Sequence, residues 1–200
     1  MRTEDTINNI MENLRKYDRY TYEHSLRVGV ISFIVGSEMK LEEQECNNLY
    51  IAGLLHDIGK MKIPKEIIQS KRKLSKCEYE FIKEHPVIGY NMIEKQNFNK
   101  NILDGVLGHH ERLDGSGYPH KLVDEDISLY ARILGVVDSF DAMTSDRTYS
   151  KKISYREAIC ELNNKSKMYD KKVIDILEKY EKKIIDILEE YARGRCMYEQ

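Results

Sequence analysis

The sequence has little of what marks several protein classes. It contains only three prolines among 200 residues and no low-complexity tract, which argues against a disordered chain. No apolar run approaches the roughly 20 residues of a membrane span. The charged, periodic N-terminus, MRTEDTINNIMENL, lacks the features of a signal peptide. These absences predict a cytoplasmic protein with no membrane partner.

The chain also has almost no excess of positive or negative charge. Thirty-two basic residues against 34 acidic residues leave a net charge of -2, which disfavours a protein that holds long nucleic acid on a basic face. The four cysteines form no CxxC pair, so free thiols in a reducing compartment are expected at Cys46, Cys77, Cys160 and Cys196. A chain of this length is one domain, or one domain with a long appendage, and it can bury a core without disulfides.

Apolar residues recur at helical spacing along most of the chain, and no segment alternates with a period of two for long. The fold class predicted is therefore all-α. Ser75 and Glu78 have capping-box spacing, and Pro86 predicts a new helix or a kink. Residues 112–126 are expected to form the one long loop. The other helices are predicted at about residues 7–17, 26–34, 41–57, 101–111 and 128–144.

The C-terminal part, from Ile153 to Tyr191, also has helical periodicity and contains a near repeat. IDILEKY at 174–180 returns as IDILEEY at 185–191, an offset of eleven residues. Eleven residues is close to three helical turns, so the apolar face returns to nearly the same side. The pattern predicts an extended amphipathic helix packed on its own domain. The alternative left open is a homodimer formed through this C-terminal helix.

Five of the six histidines fall in four short phrases, and aspartates stand beside or near them. The phrases are YEHSLRV, LLHDIGK, KEHPVIGY and GHHERLDGSGYP, and a later segment reads VVDSFDAM. A lone histidine on a helix is more often a core or surface residue than a ligand. The set is harder to explain in that way, because His56, Asp57 and Asp138 each follow an apolar run. Interior carboxylates need a cation, and grouped interior imidazoles favour a metal.

The donor types indicate which metals are suitable. Nitrogen and carboxylate ligands without thiolates suit iron, manganese or zinc better than calcium or magnesium. Six or seven ligands are too many for one tetrahedral ion and suit two divalent metal ions that share a carboxylate. The candidate ligands are His24, His56, Asp57, His85, His109, His110 and Asp138.

Three of these phrases carry a family resemblance. HDIGK, HHERLDGSGYP and DSFDAMTSDR resemble the signature phrases of the HD-GYP domain, a branch of the HD-domain metal-dependent phosphohydrolases. The resemblance runs from about Tyr20 to about Tyr180. It implies an HD-domain helical bundle that hydrolyses cyclic di-GMP to linear pGpG, or to GMP, with a bridging hydroxide at a two-metal site. On this interpretation the N-terminal helix occupies residues 1–19, the catalytic core 20–165 and a C-terminal helical segment 166–200.

The resemblance also implies a division of the ligands into two triads, with iron or manganese as the metals. His24, His56 and Asp138 would bind one ion. His85, His109 and His110 would bind the other, and Asp57 would bridge the two. Some family members hold a third metal with a glutamate four residues before the first histidine. Here that position is Tyr20, so two ions are expected.

The substrate side of the site follows from the same resemblance. Lys60, in HDIGK, would face the phosphate and share the catalytic role with Asp57. The loop residues Gly117, Tyr118 and Pro119 would lie beside a cyclic dinucleotide. Asp141 and Arg147 match family positions near the substrate.

Two other functions remain open at this point. One is a different nucleotide phosphohydrolase of the HD superfamily, which can work with a single metal; the His109–His110 pair and the GYP loop argue against it. The other is a module that senses a nucleotide without turnover. The sequence does not separate cyclic di-GMP from related cyclic dinucleotides, and it does not identify the general acid.

Overall fold

The computed structural model describes residues 3–145 and 152–192. Over these ranges the chain folds into α-helices and two short 3-10 helices, with no strand and one isolated bridge between Asp114 and Val123. The all-α prediction is confirmed. The helices are α1 (Thr3–Tyr17), α2 (Arg19–Glu38), α3 (Glu43–Leu55), α4 (Lys65–Ile68), α5 (Lys76–Ile82), α6 (His85–Ile93), α7 (Lys100–Gly108), α8 (Leu129–Thr144), α9 (Tyr155–Asn164), α10 (Lys171–Lys179) and α11 (Glu181–Ala192).

Helix α2 lies at the centre of the core. Its side chains Val28, Ile31 and Val35 are fully buried, and the helix packs against α1, α3 and α8. It approaches α3 closely at two glycines: a Cβ on Gly53 would lie 2.6 Å from the Cα of Gly29. This contact brings the end of α3 against the middle of α2. It therefore sets the position of the histidine-aspartate pair that follows α3.

The predicted local features of the middle of the chain are confirmed. Ser75 and Glu78 form both hydrogen bonds of a capping box at the start of α5. Helix α6 begins at His85, with Pro86 in its first turn, so the proline marks a new helix. Residues 112–126 form a long connection that contains one 3-10 turn, Asp124–Asp126.

The C-terminal segment is divided into three helices. Asp170 caps α10 by accepting a hydrogen bond from the backbone amide of Lys172, and a single residue, Tyr180, separates the end of α10 from the start of α11. The apolar residues Leu177 and Ile184 are fully buried in the core shared with α2. Lys183 also forms a 2.7 Å ion pair with Glu38 on α2. The C-terminal segment thus packs on its own domain, and the homodimer stays a prediction.

Two other expectations bear on the chemistry of the chain. None of the described helices combines the length and the apolarity needed to cross a membrane. Cys46, Cys77 and Cys160 are free thiols, as expected, and Cys196 lies outside the described residues.

Candidate active site

The seven predicted ligands come together where several helices meet. His24 lies in α2, His56 and Asp57 directly follow α3, and His85 begins α6. The remaining three are His109 and His110, directly after α7, and Asp138 in α8. All are buried except His110, whose side chain is 18% exposed. Segments more than a hundred residues apart thus contribute to one interior cluster.

The ligand atoms fall into overlapping groups of three. Within each group the atoms lie within 4.8 Å of one another. The groups are His24 with His56 and Asp138, His85 with His109 and His110, and His56 with Asp57 and His109. The first two groups coincide with the triads that the family resemblance implies.

Asp57 lies between the two triads. Its Oδ2 atom is 3.7 Å from Nε2 of His24 and 3.4 Å from Nε2 of His56. Its Oδ1 atom is 3.2 Å from Nε2 of His85, in the other triad. Each carboxylate oxygen therefore faces a different group of imidazoles. This is the placement that a bridging ligand requires.

Backbone carbonyls fix the tautomers of three histidines. Nδ1 of His56 lies 2.7 Å from the carbonyl oxygen of Gly53, and Nδ1 of His85 lies 2.7 Å from that of Ile82. Nδ1 of His109 makes the same contact with a carbonyl at 2.8 Å. A carbonyl oxygen only accepts, so each Nδ1 carries the proton and each Nε2 presents a lone pair. Histidines that ligate a metal are oriented in the same way.

These lone pairs lack partners that would explain their burial. Nε2 of His56 is buried and makes no hydrogen bond among the described residues. Nε2 of His85 and Nε2 of His109 face each other at 3.1 Å. Two nitrogens that ligate one ion at right angles, each about 2.1 Å from it, lie about 3.0 Å apart. The donor set and its spacing therefore fit divalent metal ions.

The electrostatics of the cluster also favour added positive charge. Burial lowers the pKa of His85 and, together with neighbouring imidazoles, holds the pKa of His109 well below its ordinary value, so both are neutral near pH 7. Burial alone would raise the pKa of Asp57, but the ammonium group of Lys60 outweighs burial and holds that pKa well below the ordinary range. The neutral imidazoles of His85 and His109 thus lie beside the ionised carboxylate of Asp57.

His24 has a carboxylate on each side of its ring. Its Nε2 atom lies 3.1 Å from Asp138 and its Nδ1 atom 2.7 Å from Asp141. Burial lowers the pKa of His24, but the hydrogen bonds to Asp138 and Asp141 outweigh burial and raise the pKa to about 9. Without a metal, a proton on His24 supplies the cation that the two carboxylates require.

Asp141 also forms an ion pair with Arg27, a residue that the sequence interpretation missed. Arg27 donates to Oδ1 of Asp141 at 2.7 Å and to Oδ2 at 2.9 Å, a bidentate pair. Asp141 is 1% exposed, and both of its oxygens are engaged. The geometry supports a positioning role for Asp141, which orients His24, and gives no support to the predicted substrate contact. Arg27 follows His24 by three residues, so the two share one face of α2.

Lys60 lies at the rim of the cluster. Its ammonium group is 2.5 Å from Oδ2 of Asp57, and its side chain is 23% exposed. The short 3-10 helix Ile58–Lys62 places it there, one turn after the aspartate. It is thus a partly exposed cation next to the central carboxylate, where the sequence interpretation expected a phosphate contact.

The GYP residues form a loop that folds back onto the second triad. The amide of Tyr118 donates to the carbonyl of His110 at 3.2 Å, and the Tyr118 ring stacks on the His110 ring with 4.7 Å between centroids. A Cβ on Gly117 would lie 2.5 Å from the backbone atoms of His110, Glu111 and Arg112. Glycine at 117 is therefore required by packing against the ligand segment. Contact of Gly117, Tyr118 and Pro119 with a nucleotide stays a prediction.

Glu111 organises the same loop from inside the protein. Its side chain is buried, and it accepts hydrogen bonds from the backbone amides of His120 at 2.6 Å and Leu122 at 3.0 Å. Its role is to hold the loop closed behind His110. The His120 side chain is exposed, as expected for a residue outside the site. Arg147, the last predicted substrate residue, lies outside the described residues.

Comparisons with known proteins agree with this geometry. The sequence profile of the HD domain family matches residues 8–173. A cyclic di-GMP phosphodiesterase of Pseudomonas aeruginosa is 40% identical over 147 residues, which cover 73% of this chain and 36% of that protein. A cyclic di-GMP phosphodiesterase of Thermotoga maritima is 36% identical over 183 residues, 88% of this chain and 50% of that protein. A 3'3'-cGAMP-specific phosphodiesterase of Vibrio cholerae is 34% identical over 141 residues, 70% and 33% of the two chains.

The comparison with solved structures agrees with the helical fold. An HD-GYP-type protein of Bdellovibrio bacteriovorus superposes with a TM-score of 0.67 at 20% identity, over 80% of this chain and 51% of that one. The chain spans half or less of the length of the curated relatives named above. The family profile, the relatives and the helical architecture together place the chain in the HD domain family, in its HD-GYP branch.

Proposed function

We propose that the chain is a metal-dependent phosphodiesterase that hydrolyses cyclic di-GMP to linear pGpG. The observation that carries this proposal is the pair of triads, buried except at His110, with the Asp57 carboxylate between them. A two-metal centre of this kind is suited to displacement at phosphorus. The identity to cyclic di-GMP phosphodiesterases supports the choice of substrate.

The ligands proposed for two divalent ions, iron or manganese, are those that the sequence predicted. His24, His56 and Asp138 would hold one ion, His85, His109 and His110 the other, and Asp57 both. When bound, the ions supply positive charge for the phosphoryl oxygens and make water acidic enough to act as a nucleophile near pH 7. The bare Nε2 atoms of three of these histidines are the structural support for this assignment.

The chain's own residues hold and orient the reacting groups. Hydrolysis adds the oxygen of water to phosphorus, breaks the bond from phosphorus to the ribose 3'-oxygen, and returns a proton to that oxygen. Lys60 offers an ammonium group at the rim, where it can contact a phosphate oxygen. Asp141 and Arg27 keep His24 in one tautomer, and Tyr118 limits the movement of His110 by stacking on it.

The test is a product assay on protein prepared without oxygen and loaded with iron or manganese. We expect conversion of cyclic di-GMP to pGpG, and loss of both metal and activity in Asp57→Ala. His120→Ala, an exposed histidine, is the matched control and keeps the wild-type rate. Efficient cleavage of mononucleotides with cyclic di-GMP untouched would overturn the proposal. Bound nucleotide without turnover in the metal-loaded protein would favour a sensing module.

A second candidate substrate is 3'3'-cGAMP. The specific observation in its favour is the 34% identity to the Vibrio cholerae enzyme named above. Both substrates contain a guanine nucleotide and the same type of phosphodiester, so the metal centre does not distinguish them. Initial rates on the two compounds at equal concentration would do so. We expect the higher rate on cyclic di-GMP.

A further inference from the structure

A cavity of about 560 Å³ lies beside the candidate metal centre. Its lining includes His24 and Lys60, which belong to that centre, and Asp18 and Gln69, which have no role in it. This volume falls within the range of about 300–1,000 Å³ that is typical of sites for small ligands. The cavity is thus a candidate for the part of the substrate that extends away from the reacting phosphate.

The cavity runs along the first turns of α2. Asp18 caps this helix, and His24 follows six residues later. At 1.5 Å per residue, the two positions lie about 9 Å apart along the helix axis. A ribose and a purine base span a distance of this order. A phosphate held near His24 and Lys60 would therefore place an attached base near Asp18.

The walls of the cavity suit the faces of a flat ring. Side chains of Ile67, Ile68, Leu74 and Ile82 line it together with the polar residues. Apolar side chains packed against the face of a base replace contacts that the base loses when it leaves water. The other nine lining residues are polar or charged, so the cavity combines an apolar part of its wall with groups that can hydrogen-bond to a ligand.

Two of the polar residues beside the start of α2, Asp18 and Gln69, offer hydrogen-bond acceptors. Oδ2 of Asp18 accepts from the backbone amide and the hydroxyl of Thr21, which fixes the carboxylate. Oδ1 of Asp18 accepts from the amide nitrogen of Gln69 at 3.1 Å. Since that nitrogen donates to Asp18, the amide oxygen of Gln69 is left to accept from a ligand. The cavity thus presents a carboxylate oxygen and an amide oxygen together.

Two neighbouring acceptors discriminate between purines. The Watson–Crick edge of guanine carries two adjacent donors, the N1–H and the exocyclic amino group. Adenine carries an amino donor next to an unprotonated N1, which would face an acceptor without a proton between them. A hydrogen-bonding group of a site that a ligand leaves unpaired lowers the affinity for that ligand, and Asp18 is buried.

We propose that this cavity is a guanine subsite in which Asp18 and Gln69 bind the Watson–Crick edge of one base of the substrate. The inference rests on the proposed phosphodiesterase function and adds to it the residues that select guanine. The phosphate attached to this nucleotide then lies at Lys60 and the metal centre. The selection acts on the ratio of rates between guanine and adenine substrates.

The test compares kcat/KM for cyclic di-GMP and cyclic di-AMP in metal-loaded protein. We expect the wild type to prefer cyclic di-GMP, and Gln69→Leu to lower the ratio of the two constants about tenfold. Asp18→Asn replaces one acceptor by a donor that matches N1 of adenine, and Asn retains the ability to cap α2. It should also lower the ratio. Gln96→Leu, an exposed glutamine bonded to the carbonyl of Met92, is the matched control and leaves the ratio unchanged.

Two further results separate this inference from the proposed function. The wild-type enzyme is also assayed on bis(p-nitrophenyl) phosphate, a diester without a base. If the wild type cleaves this diester and cyclic dinucleotides, but Gln69→Leu and Asp18→Asn keep the ratio within twofold, the guanine subsite is wrong and the phosphodiesterase stands. If the metal-loaded wild type cleaves none of these compounds, the proposed function fails and the subsite fails with it.

Discussion

The contact between Asp141 and His24 gives a prediction whose size follows from the structure. The carboxylate of Asp141 is 1% exposed and accepts the Nδ1 proton of His24 at 2.7 Å. Asp141→Asn keeps the size of the side chain but removes the charge that orients the imidazole and strengthens it as a ligand. Loss of such a partner behind a metal-binding histidine reduces metal affinity or activity about 10–100-fold. This corresponds to about 1.4–2.7 kcal/mol.

The assay is a titration of phosphodiesterase activity with manganese. For Asp141→Asn we expect the half-saturating metal concentration to rise about 10–100-fold, with much of the rate recovered at saturating metal. Asp104→Asn, which removes an exposed carboxylate paired with Lys100, is the matched control and titrates like the wild type. If Asp141→Asn folds normally and titrates like the wild type, the positioning role of Asp141 is refuted.

Three further predictions concern the packing around the site. Gly117→Ala places a Cβ 2.5 Å from three backbone atoms. We therefore expect reduced activity and a loss of about 1–3 kcal/mol in the free energy of unfolding. An unchanged denaturant unfolding curve would contradict this prediction. Glu111→Gln leaves one loop amide without an acceptor and should destabilise by about 1–3 kcal/mol, again measured by denaturation; a wild-type midpoint would refute it. Ile184→Ala should cost about 2–5 kcal/mol without changing the sedimentation coefficient, whereas dissociation of an oligomer would instead support the homodimer.

The sequence predicted which residues meet in the site because their immediate neighbours are informative. An apolar run before His56 and Asp57, and another before Asp138, indicated interior positions for polar side chains. Interior polar groups need partners, and here each lies within reach of the others. The capping box at Ser75 is equally local and was predicted for the same reason.

The residues that the sequence did not identify depend on contacts between distant segments. Arg27 acquires its role from Asp141, which is 114 residues away, and nothing beside Arg27 in the chain indicates that pairing. Glu111 accepts hydrogen bonds from two backbone amides of the following loop. Almost every residue type has such an amide, so the side chains of the loop do not indicate this contact. Gln69 belongs to a cavity wall that has no periodic pattern.

The C-terminal segment illustrates a different limit. Its eleven-residue repeat predicts one amphipathic face, and Leu177 and Ile184 are indeed buried on a common core. The same periodicity continues through Tyr180, where the backbone departs from helical geometry between α10 and α11. A repeat of apolar residues predicts the side that is buried, but it does not predict the residue at which one helix ends and the next begins.

The account depends most on two metal ions bound by the seven clustered side chains. The most direct test is anomalous scattering from crystals of the protein grown without oxygen and loaded with manganese or iron. We expect two peaks, one against His24, His56 and Asp138 and one against His85, His109 and His110, with the Asp57 carboxylate between them. A single peak, or no peak at either triad, would contradict the two-metal centre.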